Sequence, residues 1–171
     1  RFDLATMIDW ETCKLITQEA KKINPNVILI EEAWGGGKYD LSGFSMIGWA
    51  AWNDLIRNGV KGQNPRDGLG FIFGKFQGSN SKKSFMSYVT GSLLVDGGPF
   101  VQKEHSINYL ESHDDNTMGD FIRFALHDAK ENEKVLNATK NAKLSPKQLA
   151  LHKLAAMYLF TAQGPVMIHE G

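Results

Sequence analysis

Three short segments each place an acidic residue at the end of an apolar, strand-forming run. They are Arg1-Phe2-Asp3-Leu4-Ala5, the stretch from Val27 through Glu31 and Glu32 to Trp34, and the stretch from Ile107 through Glu111 to His113 and Asp114. A strand ending in a carboxylate delivers that group to the rim of a sheet, and in parallel α/β folds the rim is where chemistry occurs. Converging carboxylates suit a reaction needing an acid, a base or nucleophile, and a stabiliser of positive charge; glycosyl transfer is the clearest case. Residues two apart on a strand share a face, so Arg1 can hold Asp3 ionised and oriented. Adjacent strand residues point to opposite faces, so only one of Glu31 and Glu32 can serve the site. A Glu against an apolar wall, with Trp34 a part of that wall, can stay protonated and act as general acid. His113 can donate to a sugar hydroxyl, and Asp114 can be the third carboxylate.

Each piece also has a plainer reading. Arg1–Asp3 can be a structural ion pair, Glu31-Glu32 a solvated strand end, and His113-Asp114 a pair of ligands for a divalent metal, as in a phosphohydrolase. The metal reading needs more ligands, and His105, His127, His152 and His169 show no recognisable ligand spacing, so no metal is assigned. Gly35-Gly36-Gly37-Lys38 is followed by Tyr39 and lacks phosphate-loop spacing; a loop at the active site is the better reading. Asn137-Ala138-Thr139 matches the glycosylation triplet, which often arises by chance.

The elements that must position these groups alternate between strand and helix. Asp9 can cap a helix from Trp10 to Ile23, with Pro25 beyond it. Val27–Ile30 reads as a strand buried on both faces, 34–43 as a Gly-rich loop, 44–48 as a weak strand, and 49–60 as a helix. The Gly-rich stretch 61–83 reads as a long surface loop. Ser84 is a candidate cap for a helix from Phe85 to about Leu94, Ile107–Leu110 is a strand, and 119–137 is helical. Ser145-Pro146-Lys147-Gln148 combines a cap, Pro at the first helical position and a capping box; the helix runs to Ala162, before Gly164-Pro165 and a strand at 166–168. This order predicts an α/β fold with a parallel sheet.

The chain has 171 residues, with 19 Lys and Arg balanced by 19 Asp and Glu. That balance gives no electrostatic footprint for nucleic acid. No apolar run approaches the roughly 18 residues needed to span a bilayer. Cys13 is a lone cysteine, so no internal disulfide can form and the compartment cannot be read from the sequence. The chain opens on Arg1 inside one strand-like motif and closes on Gly171 beside another, which reads as a piece cut from a longer protein, truncated at both ends.

Taken together, the three acidic segments resemble the α-amylase superfamily of retaining, α-glucan-active enzymes. Residues 1–5 resemble that family's R-x-D-x-A segment after the fourth strand of its (β/α)8 TIM barrel. Residues 30–34 resemble G-E-x-W after the fifth strand, and residues 108–114 the segment ending in His-Asp after the seventh. Residues 163–171 resemble the eighth strand. Asn116-Thr117-Met118-Gly119-Asp120 and Trp52-Asn53-Asp54-Leu55-Ile56-Arg57 lean toward pullulanases and related debranching enzymes, while Glu111-Ser112-His113-Asp114 is shared with branching enzymes. The resemblance implies a single partial barrel spanning about strands 4 to 8, completed by the remainder of its own barrel, and inactive in isolation. It implies Asp3 as nucleophile, Glu32 as acid/base and Asp114 as transition-state stabiliser, with Arg1, His113 and Trp34 contacting an α-glucan. No cofactor is implied. Branching or transfer activity, and a non-catalytic amylase-like binding module, are the alternatives. Glu31 departs from the family's usual Gly, and Asp115 from its frequent Asn.

Overall fold

The computed structural model describes residues 1–76, 80–130 and 142–169. Its frame is a parallel sheet of β1 (Ile30–Glu31), β2 (Ala50–Trp52) and β5 (Ser106–Ile107), in that spatial order. Single parallel bridges extend it at both edges, Phe2 to Glu31 and Asn108 to Val166. Five parallel segments therefore lie side by side in chain order, each separated from the next by helical structure, as βα connections dictate. The α/β expectation holds. An antiparallel hairpin, β3 (Gly62–Asn64) with β4 (Gly68–Leu69), is added to it.

The helices are α1 (Trp10–Ile23), α2 (Leu41–Met46), α3 (Asp54–Val60), α4 (Lys82–Val89), α5 (Met118–Ala125) and α6 (Pro146–Thr161). Capping decides most of their starts. The Asp9 carboxylate accepts from Thr12 N at 2.9 Å, and Ser145 and Gln148 form the reciprocal box expected from their spacing.

Five expectations fail. Residues 44–48 are not a strand; Asp40 caps α2 through Gly43 N, and the helix takes up most of that stretch. The helix expected over 49–60 is β2 followed by α3, because Ala50, Ala51 and Trp52 fill a central strand buried on both faces and Asn53 caps a new helix. The segment 61–83 holds the hairpin, a 3-10 turn at Phe71–Phe73 and the start of α4 rather than a bare loop. The α4 cap is Ser81, with Ser84 as its box partner. The helix at 119–137 begins at Met118 under a Thr117 cap and is helical to Ala125. The remainder of that expectation beyond residue 130, the glycosylation triplet, and Glu170-Gly171 lie outside the described residues.

Strand register sorts side chains onto two faces. Ile30, Ala50, Trp52, Ile107 and Tyr109 pack together on one, joined by Met167. On the other, helices cover the sheet: Cys13 of α1 and Phe44 of α2 pack with Leu29 and Trp49, and α3, α4, α5 and α6 meet around Ile56, Phe85, Ile122 and Leu159. A sheet buried on both sides explains why its strands read as continuous apolar runs.

Candidate active site

Phe2 is the anchor of the first segment. Its backbone bonds Ile30 O at 2.8 Å and accepts from Glu32 N at 3.0 Å, which sets Arg1 and Asp3 beside the end of β1. The chain then turns sharply. Leu4 is left-handed at φ 48°, a conformation costing of order 1–3 kcal/mol in a residue with a side chain, and in it Leu4 N donates to Glu32 Oε2 at 3.1 Å. The Gly35–Gly37 loop presses on this turn: a Cβ at Gly35 would lie 2.3 Å from the Leu4 side chain, and one at Gly37 would lie 2.0 Å from Thr6 O. Glycine here allows two backbone segments to touch, so the loop buttresses the Asp3 turn.

The acidic groups meet at Arg1. Its Nη1 donates to Asp3 Oδ1 at 2.5 Å and to Glu32 Oε2 at 3.3 Å. The Arg1 guanidinium first, then contact with Glu32 and a further attraction to His113, hold Asp3 below the usual carboxylate range. Glu32 is buried while Asp3 is exposed.

His113 joins the cluster from the end of the β5 segment. Its ring lies 6.1 Å from Trp52, and its Nε2 lies 3.5 Å from Asp114 Oδ2. Asp114 N is held by Ser112 Oγ at 3.2 Å. Trp52, to which the sequence assigns no site role, is the hub: Arg1 stacks over it at 5.2 Å, and Tyr109 and Trp34 pack on it at 5.3 and 5.9 Å. Trp34 in turn lies under the Arg57 guanidinium at 5.4 Å. Arg1 joins Asp3 and Glu32 directly, Trp52 links Arg1 with Trp34 and His113, and Asp114 touches this group through His113.

Glu31 lies outside that cluster. Register pairs it with Ala51, on the face opposite Trp52, where burial and the charges of Asp54 and Asp40 push it up to about 8. Beneath the site, Asp54 accepts from Tyr39 at 3.3 Å and from Tyr109, and pairs with Arg57 at 3.4 Å. Burial raises Asp54 despite these partners. Among the described residues no group of three or more His, Cys, Asp or Glu could hold a metal ion, and no helix is long and apolar enough to cross a membrane.

A parallel sheet whose successive strand ends carry Arg-x-Asp, Glu-x-Trp and His-Asp is the frame of the α-amylase superfamily, and the chain belongs to it. No protein-family profile matches it. The chain is 30% identical over 182 aligned residues to a pullulanase of Bacillus subtilis, covering all of this chain and 23% of that protein. It is 32% identical over 112 residues to an isoamylase of Flavobacterium, covering 61% of the chain and 12% of the isoamylase. Its fold matches a pullulanase of Paenibacillus barengoltzii, solved in complex with maltotetraose, at a TM-score of 0.77 and 27% identity, over 100% of this chain and 26% of that one. Within the superfamily the chain is of the debranching-enzyme type. It spans about a quarter or less of the length of these relatives.

Proposed function

We propose that the chain forms part of a (β/α)8-barrel glycoside hydrolase that cleaves α-glucosidic bonds in pullulan, starch or glycogen with retention of configuration. The five parallel segments are read as an arc of about strands 4 to 8, completed by the remainder of the barrel. Asp3 attacks the anomeric carbon while Glu32 gives its proton to the departing glycosidic oxygen, so the C–O bond breaks as the glycosyl ester forms. Glu32 then takes a proton from water, whose oxygen attacks the same carbon and releases Asp3. Asp114 stabilises the positive charge that builds at the ring, Arg1 and His113 bind sugar oxygens, and Trp34 helps to wall the site. The observation that carries this reading is the Arg1 clamp: one guanidinium donates to both Asp3 and Glu32 and holds Asp3 ionised beside a second carboxyl. An ionised, oriented carboxylate beside a second carboxyl is the pairing a double displacement uses. The maltotetraose bound by the Paenibacillus relative supports an α-glucan as the substrate class.

The test is made in the complete gene product, assayed on pullulan, amylose and glycogen. Asp3→Asn and Glu32→Gln should each lower kcat by about 10²–10⁴-fold or more. Activity within a few-fold of wild type in either variant overturns the assignment, and the wild-type substrate ranking fixes the linkage preference.

A further inference from the structure

The loop that follows Glu32, residues 34–40, carries Gly35, Gly36 and Gly37 and leads from β1 to α2. Gly35 and Gly36 take φ +116° and +105°. Glycine loses more conformational freedom on folding than any other residue, so such a loop keeps one shape only if its ends are held. One helical turn holds both. At the start of the loop, the Arg57 guanidinium lies 5.4 Å from the centre of the Trp34 ring. At its end, the Tyr39 hydroxyl donates to Asp54 Oδ2 at 3.3 Å. Asp54 and Arg57 are three apart in the first turn of α3, so they share a face of the helix, and they pair with each other at 3.4 Å.

The same pair reaches a third segment. The Tyr109 hydroxyl donates to Asp54 Oδ1, and its ring has Arg57 at 5.3 Å on one side and Trp52 at 5.3 Å. Asp54 is buried, and each of its partners is a donor, as a carboxylate held away from water requires. It therefore ties together the loop behind Glu32, the start of α3, and the segment that leads to His113 and Asp114. Tyr39 is half-exposed, so what its bond fixes is the loop rather than the core. Trp34, gripped by Arg57, packs in turn on Trp52 at 5.9 Å.

We propose that Asp54 and Arg57 are positioning residues: through Tyr39 and Trp34 they fix the loop behind Glu32, and so hold the acid where it meets the departing glycosidic oxygen. This rests on the hydrolase reading above and adds to it two groups that act through other side chains. A misplacement of about 1 Å in a catalytic group can cost about 100-fold in rate. Arginine is specific for this task, because lysine keeps the charge but has no flat face to lie against Trp34 and Tyr109.

The experiment uses the complete protein and the variants Arg57→Lys and Tyr39→Phe. Values of kcat/KM are measured on pullulan, whose departing oxygen needs a proton, and on α-maltotriosyl fluoride. With the fluoride, Asp3 attacks the anomeric carbon and the C–F bond breaks with its electron pair leaving on fluoride, so the first step needs no proton from Glu32. Arg57→Lys should lower kcat/KM on pullulan about 30-fold and on the fluoride by less than about threefold. Tyr39→Phe should shift the ratio of the two in the same direction by about fivefold, and decides alone if Arg57→Lys fails to fold. In protein labelled with 5-fluorotryptophan, the Trp34 fluorine resonance, assigned by its loss in Trp34→Phe, should move or broaden in both variants. Equal losses on the two substrates, no loss on either, or an unmoved Trp34 resonance overturn the positioning role. Full turnover in Asp3→Asn defeats the hydrolase reading instead, and the Trp34 resonance then shows by itself whether Asp54 and Arg57 hold the loop.

Discussion

Replacing Glu31 by Gln should remove a pH dependence of stability that the native chain carries. Glu31 is fully buried, and neither carboxyl oxygen has a hydrogen-bond partner among the described residues. Burial first, then the charges of Asp54 and Asp40, raise it from 4.5 to about 8. The unfolded chain releases this proton near its ordinary value, while the folded chain keeps it until about pH 8. Between those limits the folded state binds more protons, so stability falls as pH rises; the contribution is full below about pH 4.5 and gone by about pH 8. At about 1.36 kcal/mol per unit of pKa, the gap is on the order of 5 kcal/mol, an upper bound. Gln keeps the shape and neutrality of the protonated acid and does not titrate. The stability of Glu31→Gln relative to wild type should therefore rise by on the order of 1.4 kcal/mol per pH unit from about pH 5 to 8, then level off. Asp40, Asp54, Tyr39 and Cys13, ionisable groups coupled to Glu31, are common to both proteins. Urea unfolding followed by tryptophan fluorescence, in half-unit steps from pH 5 to 9, reads the difference directly. A difference that stays constant with pH refutes the reasoning, because Glu31 would then be charged or solvated in the folded chain.

Two further predictions concern the site and its support. Arg1 first, then contact with Glu32, lower Asp3, so its ionised form persists as pH falls and is lost only below the ordinary carboxylate value; if Asp3 is the proposed nucleophile, Arg1→Gln should move the acidic limb of kcat/KM to higher pH, and an unmoved limb would show that Arg1 does not set the charge of Asp3. Asn53 Nδ2 donates to Ser92, Ser106 and Asn108 at 2.9, 2.9 and 3.2 Å, and its Oδ1 caps α3 through Leu55 N and Ile56 N; Asn53→Ala should cost about 2–4 kcal/mol in chemical denaturation by losing the cap and leaving buried partners unpaired, and a cost under about 0.5 kcal/mol would show that those partners find substitutes.

The features legible in the sequence were those that local chemistry decides. Asp9 and Ser145 announced their helices because an N-cap satisfies backbone N–H groups within its own turn. The acidic residues past the apolar runs announced the rim because a strand end can lead nowhere else. The boundary at Asn53 was illegible because a short, fully buried strand and a buried helical turn have the same apolar composition, and only pairing with neighbouring strands separates them. The same pairing explains the unequal fates of two adjacent acids. The step from Ile30 to Glu31 crosses the sheet, placing Glu31 beside Ala51 under the helices, and the next step returns Glu32 to the side of Trp52, where Arg1 meets it. Nothing in the dipeptide distinguishes them; register does. It also makes Trp52 the hub, since its place opposite Ile107 sets its ring among Arg1, Trp34, Tyr109 and His113, residues from three separate stretches of chain. A side chain whose role is to be common ground for groups distant in sequence leaves no local period to read, and its signal is the parallel pairing that brings those groups together.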